Sequence, residues 1–169
     1  MKNSDRASEL PEAVTCKKAK LKLTIQYAVH VGGIPGRPQF RKWVKAALMR
    51  DAEIVLRMVD EIEGRSLNRD FRGRDYATNV LTFGYGNTRH LSGDIVLCAP
   101  VVENEARQQH KNLTAHYAHL TVHGVLHLQD YDHENDTTAA GMERLETEIM
   151  ARLGHSDPYR ECRRAFEKT

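Results

Sequence analysis

From Leu21 to Ile25 apolar and polar side chains alternate, the period-2 pattern of a half-buried strand, so Lys20–Val29 (KLKLTIQYAV) reads as a first strand. After a Gly/Pro loop (GGIPGRP), Phe40, Val44, Ala47 and Leu48 recur at helical spacing with Trp43 beside them. That stripe predicts a helix from Pro38 to Met49. Glu53–Val59 (EIVLRMV) reads as a second strand, and Asp60–Phe71 as a short helix ending near Gly73. Asn79–Tyr85 and Ser92–Cys98 read as two further strands joined by a Gly/Asn turn. Beyond Pro100 the pattern becomes helical over Val101–Gln109, Leu113–Leu128 and Thr137–Leu153, the last closed by Gly154. Four strands followed by helices predict an α+β fold: a single domain with a small four-stranded sheet packed against several helices. The expected boundaries are a flexible N-terminal extension over 1–19, the folded domain over 20–154 and a C-terminal tail over 155–169.

Composition narrows the classes. A chain of 169 residues has room for one domain, and 40% hydrophobic with 28% charged residues is too apolar for a disordered chain. No apolar run approaches the ~20 residues a bilayer requires, and the start (MKNSDRASELPEAV) lacks the apolar stretch of a secretory leader. Three widely spaced cysteines without a Cys-x-x-Cys pair suit reduced thiols in a cytoplasmic setting. The net charge of +2 indicates no partner by itself.

The histidines change the picture. Of nine, six fall between His110 and His133. His123 and His127 stand four apart on a predicted helix, so both rings face one side and can reach one cation at ~2.0–2.1 Å. His119 extends the row, but a row of three spaced four apart spans ~12 Å, too far for one ion. A third ligand must come from chain that turns back, and His133, just past the helix end, suits that role. The turn needs a residue tolerant of the left-handed region, and Asp130 is such a residue. Three histidines with an open fourth position are the arrangement of catalytic zinc, placing the metal site at a helix end. The spacing matches the His-Glu-x-x-His-x-x-Gly-x-x-His layout of metzincin peptidases, except that Gly124 stands where their glutamate base would be. Asp130, Asp132 and Glu134 read as caps or as groups that orient a ligand ring.

A second cluster is basic. Arg65, Arg69, Arg72 and Arg74 crowd ten residues, opposed within them by Asp70 alone, and read either as a phosphate-contacting patch or as a solvated face with ion pairs to Asp70 or Asp75. No run of aromatics marks a stacking platform, so a polyanionic partner of this patch would be read through its backbone, with little sequence specificity.

The segment His-Gly-x-Leu-His-Leu-x-x-Tyr-Asp-His at 123–133 resembles the signature of the YbeY family of bacterial endoribonucleases. Leu67-Asn68 with Phe71-Arg72-Gly73, then Thr78 to Phe83 (TNVLTF), and Gly93-Asp94-Ile95 agree in order and spacing. The resemblance covers roughly residues 20 to 154. It implies a cytoplasmic, zinc-dependent endoribonuclease specific for single strands, acting in ribosomal RNA maturation at the small-subunit 3′ end and in ribosome quality control. Its partners would be ribosomal RNA and the small subunit or its assembly proteins, with no membrane. The family's metal ligands map onto His123, His127 and His133, with one zinc ion per chain, and its functional arginine maps onto Arg72. Two positions depart from the pattern: Asp130 replaces the glycine before Tyr-Asp-His, and Thr82-Phe83-Gly84 replaces Ser-Phe-Pro.

Two other readings stay open on sequence grounds: a zinc peptidase-like hydrolase, opposed by Gly124, and a ribosome-assembly RNA-binding factor whose zinc is structural.

Overall fold

The computed structural model describes residues 18–86, 90–131 and 136–160. Nine elements follow in chain order: β1 (Leu21–Tyr27), α1 (Arg37–Ala47), β2 (Ala52–Val59), α2 (Glu61–Arg72), β3 (Val80–Gly84), β4 (Leu91–Cys98), α3 (Ala99–Gln108), α4 (Leu113–Leu128) and α5 (Asp136–Arg152). The α+β, single-domain expectation holds. The sheet order is β1-β2-β4-β3, with β1, β2 and β4 parallel and β3 antiparallel to β4. Helix α1 is the crossover that lets β1 and β2 run parallel. The expected β3–β4 hairpin forms, although residues 87–89 of its turn lie outside the described part.

Alternation along the strands divides the core. Ile54, Leu56 and Met58 of β2 and Ile95 and Leu97 of β4 face the larger cluster, with α1, α4 and α5. Val59, Leu81, Val96 and Cys98 face the opposite side, where Leu67 of α2 packs. Phe40 meets Trp43 and Tyr117 edge to face at centroid separations of 5.3 and 6.1 Å, fastening α1 to α4. Each such pair adds about 0.5–1.5 kcal/mol beyond its buried area.

Helix α4 is the central element, apolar around most of its circumference, as a helix packed on several sides must be. Asn112 caps its start, Oδ1 accepting from the Ala115 amide at 3.0 Å. At position 124 the helix lies flush on the sheet: a Cβ there would stand 3.0 Å from Ile95 Cγ2 and 3.4 Å from Thr82 Cγ2. At its far end Gln129 donates to the Ala47 carbonyl at 2.8 Å and accepts from the Met49 amide at 2.8 Å. That clasp joins the ends of α4 and α1.

The helix then stops as the sequence requires. Asp130 sits at φ 68°, in the left-handed region. Its amide donates to the His127 carbonyl at 3.1 Å and that of Tyr131 to the Leu126 carbonyl at 3.1 Å, the paired bonds of a Schellman ending. Asp132, His133 and Glu134 lie outside the described residues.

Candidate metal centre

The apolar bulk of α4 leaves one stripe for histidines. His116, His119, His123 and His127 follow one another at intervals of three or four residues, so their rings share a face. Ring centroids are 6.2 Å apart for His119 and His123 and 4.5 Å for His123 and His127. The tighter pair is the one the sequence singles out. His116, at the start of this face, is taken by another partner. It is buried and bonds Glu105 through Nε2 at 2.9 Å, and Asn79 donates to the same carboxylate. A cavity of about 240 Å³, lined in part by Asn79, Glu105, His119, His123 and Tyr159, opens along this face. A larger one of about 510 Å³ lies toward the start of α4, beside Lys111 and His155, away from His123 and His127.

Helix α5 supplies what the sequence reading overlooked. Glu146, only 1% exposed, bonds His123 Nδ1 at 2.5 Å and stands 3.6 Å from His119 Nε2. The Tyr159 hydroxyl donates to the other carboxylate oxygen and lies 3.2 Å from His119 Nε2. Burial would push the Glu146 carboxyl up, but hydrogen bonds from His119 and His123 and their charge overcome it and hold it down at about 2. Burial and the neighbouring carboxylate push the Tyr159 phenol well above its usual range. The centre therefore carries a buried, ionised carboxylate bonded by imidazole and phenol.

The donors fit a divalent cation. Nitrogen and oxygen atoms of His119, His123 and Glu146 lie within 4.8 Å of one another, and two imidazoles with a carboxylate are a recurring ligand set. The separations distinguish two uses of Glu146. Donors around one tetrahedral ion at ~2.0–2.1 Å stand roughly 3.3 Å apart. His123 Nδ1 and Glu146 Oε1, at 2.5 Å, are closer than that and are joined by a proton. An ionised carboxylate that accepts a hydrogen bond from Nδ1–H fixes the tautomer whose Nε2 has a lone pair for metal. Of the three histidines named from sequence, His123 and His127 are brought together, and His133 lies outside the described residues.

The arginine patch resolves residue by residue. Arg65 is bidentate to Asp75 at 2.8 and 2.7 Å, and this pairing, with the nearby Arg69, holds the Asp75 carboxyl below its usual range. Arg69 also contacts Asp70 at 3.3 Å. For these two the ion-pair reading applies. Arg72, in the last turn of α2 before Gly73 (φ 68°), is exposed and ion-paired to no described residue. Its neighbour Phe71 packs on Phe83 of β3, the strand whose other face meets α4.

Comparison with known proteins decides what this arrangement belongs to. Residues 37–154 match the family model described as Endoribonuclease YbeY. The chain belongs to the YbeY family. Among curated relatives, an "Endoribonuclease YbeY" from Nitrosospira multiformis is 62% identical over 158 residues, covering 85% of this chain and 84% of that protein. One from Nitrosomonas europaea is 64% identical over 140 residues, covering 83% and 85%. One from Cupriavidus metallidurans is 55% identical over 148 residues, covering 85% and 75%. The solution structure of TM1509 from Thermotoga maritima is 25% identical, with a TM-score of 0.49, covering 80% of this chain and 97% of that one.

Two participants escaped sequence reasoning. Glu146 carried a signal: it interrupts the apolar stripe Met142, Ile149 and Met150 of α5, where a charge signals a buried partner. Tyr159, beyond Gly154 in the segment read as a tail, carried none. His119, which extends the histidine row beyond the reach of a single ion, touches both.

Proposed function

We propose that the chain is a metal-dependent endoribonuclease that cleaves single-stranded RNA, with His123, His127 and His133 as ligands of one zinc ion and Arg72 as the catalytic cation. Its expected setting is the cytoplasm, in maturation of ribosomal RNA at the small-subunit 3′ end and in ribosome quality control, beside the small subunit or its assembly proteins. Family membership supports the hydrolytic nuclease class. The observation that carries the site assignment is the His123–His127 pair with its buried Glu146 orienter. Among the described residues no helix is long and apolar enough to cross a membrane.

A cation at this site supplies Lewis acidity toward a phosphoryl oxygen and lowers the pKa of a water. The chain's own residues do the rest. Glu146 holds the Nδ1 proton of His123, so the ring cannot turn its protonated nitrogen toward the metal. Tyr159 donates to the second Glu146 oxygen and keeps that carboxylate from swinging away. Arg72, with no carboxylate partner among the described residues, can donate two N–H bonds to the phosphate as negative charge builds on its oxygens. Gly124 disfavours the peptidase reading on geometry as well as on sequence. Position 124 faces Ile95 and Thr82 of the sheet, so a glutamate there would have to push into the core.

The test is cleavage of a single-stranded RNA by metal-loaded and chelator-treated protein, with Arg72→Ala and His127→Ala beside the wild type. Arg72→Ala should bind metal normally and cleave about 10²–10³-fold more slowly, the loss usual for one charge-stabilising donor. His127→Ala should lose metal and activity together. Cleavage by Arg72→Ala at the wild-type rate would remove Arg72 from the mechanism. Indifference to chelator would remove the metal.

A further inference from the structure

The sequence carries no run of aromatics, yet folding brings separate ones to the surface around the end of α2. Phe71 is 67% exposed, Tyr76 53% and Tyr85 55%. Phe71 does not stand alone: its ring meets that of Phe83 at 5.0 Å with an interplanar angle of 62°. Tyr85 continues β3 beyond Gly84, its amide donating to the Ser92 carbonyl at 2.9 Å. Two residues apart on extended chain, Phe83 and Tyr85 project to the same side. Tyr76 is anchored from α2, where buried Asn68 donates to its carbonyl at 2.7 Å, and its hydroxyl lies 3.5 Å from the Arg74 guanidinium.

Charge accompanies these rings. Arg72 and Arg74 have no ion pair among the described residues. The nearby acids are already engaged: Asp75 with Arg65, Asp70 with Arg69, and Asp94 with the Tyr85 hydroxyl at 2.6 Å. Rings with open faces beside unpaired guanidinium groups suit a polyanion that carries its own planar groups. A duplex hides its bases in the stack, whereas a single strand can splay them onto protein rings.

Location ties this surface to the histidines. β3 is an edge strand, bonded to β4 alone. On one face Thr82 packs against position 124, next to His123; on the other Phe83 packs against Phe71. A single strand thickness separates the histidine helix from the aromatic rings.

We propose that Phe71, Tyr76 and Tyr85, flanked by Arg72 and Arg74, form a base-stacking platform that holds single-stranded RNA across the β3 edge while its phosphate reaches the histidine site. This rests on the endoribonuclease reading and replaces the expectation of backbone contacts alone. The bases nearest the cut are stacked, so RNA lacking those bases is held poorly.

Fluorescence anisotropy with a cleavage-resistant phosphorothioate oligoadenylate and its abasic counterpart tests this, using full-length metal-loaded protein. Phe71→Leu and Tyr76→Leu keep apolar bulk but lose the ring, and each should weaken oligoadenylate binding by about fivefold to a hundredfold. Phe71→Tyr should restore it. The abasic oligomer should bind wild type and variants alike, and Phe71→Leu should lower the melting temperature by no more than a few degrees, the loss of one half-exposed ring pair. Equal oligoadenylate affinity for wild type and both leucine variants would overturn the platform, as would equal binding of the abasic strand by the wild type. Were the wild type to cleave RNA normally in that case, the endoribonuclease reading would survive; a wild type that neither binds nor cleaves RNA would remove both.

Discussion

Replacing Glu146 by Gln changes little in volume but removes a charge at the middle of the histidine row. The carboxylate now accepts from His123 Nδ1 at 2.5 Å and from Tyr159. A glutamine can keep both partners, its oxygen accepting from His123 and its amide donating to the Tyr159 oxygen. What disappears is the charge assistance. A bond to a charged group contributes about 1.5–3 kcal/mol against about 0.5–1.5 for a neutral one, so roughly 1–1.5 kcal/mol is lost at His123. Transmitted through the imidazole, that is about a tenfold weaker metal complex, the lower end of the effect expected for such an orienting group. Glu146→Ala is a different perturbation. It strips both partners inside a site where the carboxylate is 1% exposed, and a loss of about 3–5 kcal/mol of stability is expected as well. Competition with a chromophoric zinc chelator reads the first quantity and calorimetric melting the second. Wild-type zinc affinity in Glu146→Gln, at unchanged melting temperature, would refute the orienting role.

Three further outcomes follow from the fold. Gly93→Ala would set a Cβ 2.7 Å from the Phe83 carbonyl oxygen and 2.6 Å from Leu128 Cδ2, and should destabilise by about 2–3 kcal/mol, lowering the melting temperature by roughly 5–10 °C. Asp130→Gly relieves a left-handed φ of 68° and gives up only an exposed contact to Arg50 at 3.7 Å. A gain of about 0.5–1 kcal/mol is expected, whereas a lower melting temperature would show that the Asp130 side chain matters to the turn. Glu105 is pushed up by burial, but bonds from His116 and Asn79 more than reverse this, so its folded pKa lies below the ordinary 4.5. A depressed carboxylate adds stability above its unfolded pKa and loses it as the pH falls below 4.5 toward the folded value. Denaturation of Glu105→Gln should therefore show a shallower acid-side loss than the wild type over that range, and parallel curves would contradict the assignment.

Local pattern made most of the fold legible. Every strand and helix expected from sequence forms, with ends displaced by a residue or two, because β1 and α1 announce their periods and Asp60, Asn112 and Gly73 mark helix ends. Strand direction was not legible, since the parallel pairing of β1, β2 and β4 is set by how α1 and α2 cross the sheet. At the site, residues close in sequence were readable: His123 and His127 share one helix face, and the left-handed Asp130 was required by the turn. Partners brought by packing were harder to read. Glu146 is twenty-three residues from His123 and Tyr159 lies beyond the last helix. The exposed rings of Phe71, Tyr76 and Tyr85 come from three separate stretches, so no linear run announced them.

The most direct test of the central claim is anomalous diffraction at the zinc edge from crystals of the metal-loaded protein. One peak is expected at ~2.0–2.1 Å from ring nitrogens of His123, His127 and His133, with Glu146 still bonded to His123 Nδ1. A peak coordinated instead by His119, His123 and Glu146, or an ion enclosed by four protein donors, would contradict it.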